Sequence, residues 1–126
     1  MKQLAVNIGT VLLLTLAFLQ AGFNSEQQQN NTPLSYTGVI MDSACSVQGS
    51  HAQMMAKEGT TTAKDCVLSC LKSGSQLVLY SAEAKTSFNL DDQDKSRDYA
   101  AEKVSIIGTY DGPTKTIHIQ SITVVP

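Results

Sequence analysis

Four side chains with soft donor atoms fall within 26 positions of one another: Cys45, His51, Cys66 and Cys70. They include every cysteine of the chain, and three is an odd number. Three thiols cannot all pair with each other, so one stays free, bonds another molecule or joins a metal. Cys66 and Cys70 stand four apart inside a helical pattern, which puts them on one face. Their β-carbons would then lie about 5–6 Å apart, whereas an unstrained disulfide needs about 3.8 Å. Cys45 is therefore the expected partner of either Cys66 or Cys70. Such a crosslink closes a loop on the order of 20 residues and contributes about 3 kcal/mol in the chain-entropy account. The third thiol is then expected to be buried and inert, because free cysteine behaves as a small hydrophobe.

The alternative chemistry is a metal site. Three thiolates and one imidazole form a closed tetrahedral set for zinc, and soft thiolates also accept copper(I). Thiol-redox work by the same residues belongs to this alternative. The spacings Cys-x5-His and Cys-x3-Cys differ from the two-residue knuckles of zinc ribbons. Taken alone, His51 reads as a solvent-exposed residue at a helix start. Lys64 and Lys72, close to the later cysteines, read as the solvated face of their helix.

Other polar groups carry less. Asp92, Asp94, Ser96 and Asp98 resemble the start of a calcium loop, but Arg97 stands at its glycine position and Lys103 at its bidentate glutamate position. An acidic loop entering a short helix is the expectation there. His118 falls on the wet face of a strand with no acidic neighbour in the chain, and reads as a surface residue. Asp42 reads as a turn or cap at a strand end, with a carboxylate role beside Cys45 as the lesser alternative. Met41, Met54 and Met55 fit core filling better than soft-metal ligation. The chain has no haem-attachment Cys-x-x-Cys-His, no phosphate-cradling glycine loop and no Gly-x-Ser-x-Gly elbow. With no catalytic constellation, it is expected not to be an enzyme.

The segments that must position these residues begin after a leader. Lys2 is followed by an apolar run centred on Val11–Phe18 and by the small residues Ala21 and Gly22, the layout of a signal peptide over residues 1–22. Residues 23–34, rich in Gln and Asn and ending near Pro33, read as a flexible linker. Residues 35–126 are then one domain, exported to the periplasm or secreted, where disulfides persist. Without Lys2 the charge is 8 basic minus 11 acidic residues, or −3. That balance, with no tryptophan, disfavours nucleic acid, which needs cationic grooves and stacking rings. No membrane contact is expected after leader cleavage, and a protein or a glycan is the partner class that remains.

Five segments read as strands: 36–41, 76–81, 86–90, 103–110 and 116–125. Gly38 within the first suggests a bulge or a close backbone approach. Asp111-Gly112 is a turn signal between the last two. A helix is predicted over Ala63–Lys72, behind the N-capping hydroxyls of residues 60–62 and before Gly74. A shorter one is predicted over His51–Lys57 before Gly59, and a weak helical pattern lies within 91–101. A small antiparallel sheet needs closure or a cover to protect its edges. The fold class is therefore mainly β with minor α. The expected architecture is a five-stranded OB-like Greek-key barrel with a helical insertion after strand 1.

The pattern Gly38-Val39-Ile40-Met41-Asp42-Ser43-Ala44-Cys45, then His51, then Cys66-Val67-Leu68-Ser69-Cys70, then a Val/Ile strand ending at Gly108, resembles a family of small exported bacterial OB-like domains of unknown function. The resemblance covers most of residues 36–125. It implies an OB-like fold and an exported location, and no reaction. The combined expectation is a small non-enzymatic binding or structural domain stapled by a Cys45–Cys66 or Cys45–Cys70 disulfide, with zinc or copper binding at the four residues as the alternative.

Overall fold

The computed structural model describes residues 31–126. The expected leader, 1–22, and most of the expected linker lie outside the described residues. The elements run β1 (Leu34–Asp42), α1 (Ser43–Ser46), α2 (Ala52–Glu58), α3 (Ala63–Lys72), β2 (Leu77–Ser81), β3 (Thr86–Leu90), α4 (Gln93–Arg97), β4 (Lys103–Asp111) and β5 (Thr116–Val124). The protein is mainly β, and its five strands form one mixed sheet that closes in a ring in the order β1-β2-β3-β5-β4. All neighbours are antiparallel except β3 and β5, which run parallel. Among the described residues no helix is long and apolar enough to cross a membrane.

The alternating apolar positions turn into the ring and form its core. Ile40, Leu79, Val104, Ile106 and Ile117 have no exposed surface. Tyr36, Phe88 and Tyr110 pack against this core with ring centroids 5.6–6.3 Å apart, Phe88 meeting Tyr110 edge-on. The β1–β2 pair is covered on its other face as well. Leu77 and Leu79 join the interior, whereas Val78 joins a second buried cluster with Met41, Cys45, Cys66 and Cys70. Burial on both faces explains why Leu77-Val78-Leu79 is an unbroken apolar run rather than an alternation.

β1 is longer than expected because its first residues pair with β4: Leu34 lies opposite Gly108 and Ser35 opposite Ile107. Gly38 makes the close approach that its place in a strand suggested. A β-carbon there would stand 2.5 Å from the Tyr80 carbonyl oxygen, closer than real β-carbons come. The connection from β1 to β2 holds three of the four helices. α3 spans the predicted residues, with Thr62 as N-cap: its hydroxyl accepts from the Asp65 amide at 3.1 Å and donates to the Asp65 carboxylate at 2.7 Å. α1, one turn long, was not predicted. It forms because Asp42, the last residue of β1, caps it.

Candidate metal centre

Each donor is placed by a different local device. Asp42 has no exposed surface, and its Oδ1 accepts from the backbone amides of Ala44 at 3.1 Å and Cys45 at 2.9 Å. This N-cap turns the chain out of β1 and sets Cys45 at the strand end. The turn is anchored to β2, since the Ser43 amide donates to the Gln76 carbonyl at 2.8 Å and the Ser43 hydroxyl accepts from the Gln76 amide at 3.2 Å. His51 is the N-cap residue of α2, and its side chain makes no capping bond. The loop before it passes Gly49, whose φ of +64° suits glycine and whose missing β-carbon leaves room for the Tyr80 hydroxyl. Cys66 and Cys70 project from the buried stripe of α3.

These segments converge. Donor atoms of Cys45, His51 and Cys66 lie within 4.8 Å of one another, as do those of Asp42, Cys45 and Cys70. Cys45 belongs to both groups. The cysteines are 0–4 % exposed, and Val39, Met54, Met55 and Tyr80 close the apolar surround. The four residues singled out by the sequence thus fall into two overlapping groups that share Cys45, one with His51 and Cys66 and the other with Cys70 and Asp42. The expected crosslink is corrected: all three cysteines are free. One helical turn separates Cys66 from Cys70, and Cys45 is held on its own capped turn. The sulfurs therefore face one another as three separate donors.

His51 is corrected as well. It stands at a helix start, but its side chain is only 12 % exposed. Both ring nitrogens are buried without a hydrogen-bond partner, and so is Asp42 Oδ2. His51 Nδ1 is 3.8 Å from that oxygen, an ion-pair distance and not a hydrogen bond. Such orphans are rare, because a buried polar atom without a partner costs about 1–3 kcal/mol.

The electrostatics follow from burial. The Cys45 thiol is pushed far up, first by burial and then by the facing Asp42 carboxylate and Cys66. Cys70 is pushed up to about 11 by burial, with Asp42 and Cys66 adding to it. Burial lowers the His51 pKa, against the pull of Asp42. Without a cation, Cys45 and Cys70 are therefore held as protonated thiols and His51 as a neutral imidazole. A bound cation reverses the balance by displacing the thiol protons.

Asp42 is the turn and cap residue expected at the strand end, and its carboxylate also lies beside Cys45, the lesser of the two expectations. The remaining candidates lie elsewhere. Asp92 accepts from the Lys95 amide at 2.9 Å as the N-cap of α4, and Ser96, fully buried, donates to the Asp92 carbonyl at 2.7 Å, so the acidic loop is a helix entrance. His118 is exposed as expected but has an acidic partner after all: Nδ1 lies 3.0 Å from Asp91 Oδ2, 27 residues away in the chain. Compared with known proteins, the chain matches no family model, no curated protein and no solved structure.

Proposed function

We propose that this chain is a small exported, non-enzymatic metal-binding protein, holding one thiophilic ion, zinc or copper(I), through Cys45, His51, Cys66 and Cys70. The observation that carries the proposal is the set of orphaned buried atoms. His51 Nδ1 and Nε2 and Asp42 Oδ2 have no partner in a pocket that also holds three free thiols. A disulfide between Cys45 and either later cysteine would leave all three atoms unsatisfied. A cation uses the imidazole as a ligand through one nitrogen, which leaves the other as a donor for the nearby carboxylate. Three thiolates with one imidazole are the donor set of closed structural zinc sites, and the same sulfurs suit copper(I).

The scaffold in this reading is an OB-like Greek-key barrel. Its support is the strand order β1-β2-β3-β5-β4, the parallel β3–β5 pairing and the short helix between β3 and β4. The likeness to small exported OB-like domains rests on Gly38-x3-Asp42-x2-Cys45 and Cys66-x3-Cys70. Export rests on the basic start and apolar run of residues 1–22. A crosslink from Cys45 to Cys66 or Cys70, which these free thiols do not make, is the outcome that would displace this reading.

Thiol and metal stoichiometry separates the two. The protein, purified without chelator, is analysed for bound metal and for alkylatable thiols before and after reduction. About one ion per chain and three thiols without reduction are expected for the metal site. Loss of two thiols before reduction, with no ion bound, would establish the disulfide and remove the metal proposal.

A further inference from the structure

We infer that Asp42 is the residue that selects which nitrogen of His51 binds the metal: its Oδ2 accepts from Nδ1–H and leaves Nε2 as the ligand atom. The inference rests on the metal-binding reading of the cluster and adds to it a residue outside the four-ligand set. Three features of Asp42 support it. The carboxylate is fully buried at the end of β1. Its two oxygens are differently employed, Oδ1 accepting two backbone amides and Oδ2 having no partner. The polar group of His51 paired with Oδ2 is Nδ1, at 3.8 Å, about half an ångström beyond hydrogen-bond range.

A neutral imidazole carries one proton, on either nitrogen. Only the unprotonated nitrogen can bind a metal, so the group that accepts the proton decides the ligand atom. Metal-bound histidines almost always donate their other nitrogen to a carboxylate, a carbonyl or water. Asp42 Oδ2 is such an acceptor, already facing the correct atom. A modest rotation of the ring toward Oδ2 closes the remaining gap as Nε2 takes up the ion.

Direct ligation by Asp42 is the less favourable arrangement. Three thiolates and one imidazole already complete a tetrahedron. An added carboxylate would bring a further negative charge onto a buried site that carries three thiolates, and buried charge is costly. Held against Nδ1–H, the same carboxylate is satisfied by a donor while its other oxygen keeps α1 capped. Asp42 is in this sense a positioning residue with two tasks: it places Cys45 through Oδ1 and orients His51 through Oδ2.

The test is a zinc titration against a competing chelator, under reductant, on the wild-type protein and on Asp42→Asn and Asp42→Ser. Both replacements keep an oxygen that can cap α1. Asparagine turns a donor toward Nδ1 and favours the wrong tautomer; serine removes the second oxygen. Each variant is expected to bind zinc about 10–100-fold more weakly with the metal-to-ligand number unchanged by X-ray absorption. Histidine nitrogen NMR of the zinc-loaded wild type is expected to show Nδ1 protonated and Nε2 metal-bound. A wild-type affinity in both variants, a metal-bound Nδ1, or the loss of an oxygen ligand in Asp42→Asn would overturn the inference while leaving the metal site standing. A wild-type protein that binds neither zinc nor copper(I) removes the cluster reading and this one with it. Thermal melts of the metal-free variants separate weak binding from failure to fold.

Discussion

Replacing His51 with leucine sets two accounts of this side chain against each other, because they give opposite signs. In the metal-free protein both ring nitrogens are buried with no partner. Each orphan costs about 1–3 kcal/mol, and removing polar atoms that have no partner is neutral or stabilising. Leucine fills a similar volume in a pocket bounded by Met54, Met55 and other apolar groups, at an overpacking cost of up to about 1 kcal/mol. The net expectation for His51→Leu without metal is a gain on the order of 1–3 kcal/mol. A folded part spanning residues 31–126 falls in the size class where 1 kcal/mol moves Tm by about 4–8 °C. The metal-free variant should therefore melt about 4–24 °C above the wild type. With zinc at about one thousand times its Kd, the wild type gains about 4.1 kcal/mol, or about 16–33 °C, and the variant, one ligand short, gains far less. The assay is a calorimetric melt in reductant, with chelator and then with zinc, so that the order of stability reverses between the two conditions. A metal-free His51→Leu that melts below the wild type would refute the reasoning, since the imidazole would then be making a favourable interaction in the empty pocket.

Three further outcomes are expected. Metal-free stability should fall on both sides of neutrality. His51 is held below its ordinary value of 6.5 by burial, so the unfolded chain takes up the proton first and stability declines as pH drops below about 6.5, a component that His51→Leu removes. Cys70 is raised from 9.0 to about 11, so its contribution is complete below pH 9 and is lost as pH rises toward 11; guanidinium unfolding from pH 5 to 11 checks both arms. Cys45→Ser should abolish zinc-induced stabilisation, because Cys45 belongs to both donor groups, while far-UV circular dichroism stays that of a folded β protein; a variant that keeps the full zinc shift would show that the ion sits elsewhere. Gly38→Ala should destabilise by about 1–3 kcal/mol, since its β-carbon would meet the Tyr80 carbonyl at 2.5 Å; an unchanged urea midpoint would show that β1 and β2 separate freely there.

Local pattern carried most of the scaffold and stopped short of the site. The limits of α3 and β3 were legible because Thr62, Gly74 and the four-residue apolar stripe are local signals. The first two residues of β1 were not, because only their pairing with Ile107 and Gly108 makes them strand. α1 is too short to show a period and exists through one side chain, Asp42. The soft donors were visible by residue type, and the nearness of Cys45 to the helix cysteines followed from placing a helix over a strand end. What spacing could not show was the absence of partners. His51 resembles any polar helix-start residue until its ring is found buried with both nitrogens unpartnered, and the full burial of Asp42 Oδ2 without a partner is equally invisible along the chain. The His118–Asp91 contact joins positions 27 apart through the ring closure, which no window along the chain can contain.

α3 presents two neighbouring faces to two different interiors. Cys66 and Cys70 line the donor pocket, while Val67, one residue on from Cys66, is fully buried among the same apolar groups as Val104 and Ile106. The helix is thus a common wall, and a change in its tilt on one side moves side chains on the other. Emptying the pocket would then loosen strands that contribute no ligand, so the protein would report its metal status through the solidity of its whole body as well as at the binding residues. In a domain of this size, that would make the ion-free form the one that cleaving enzymes reach first.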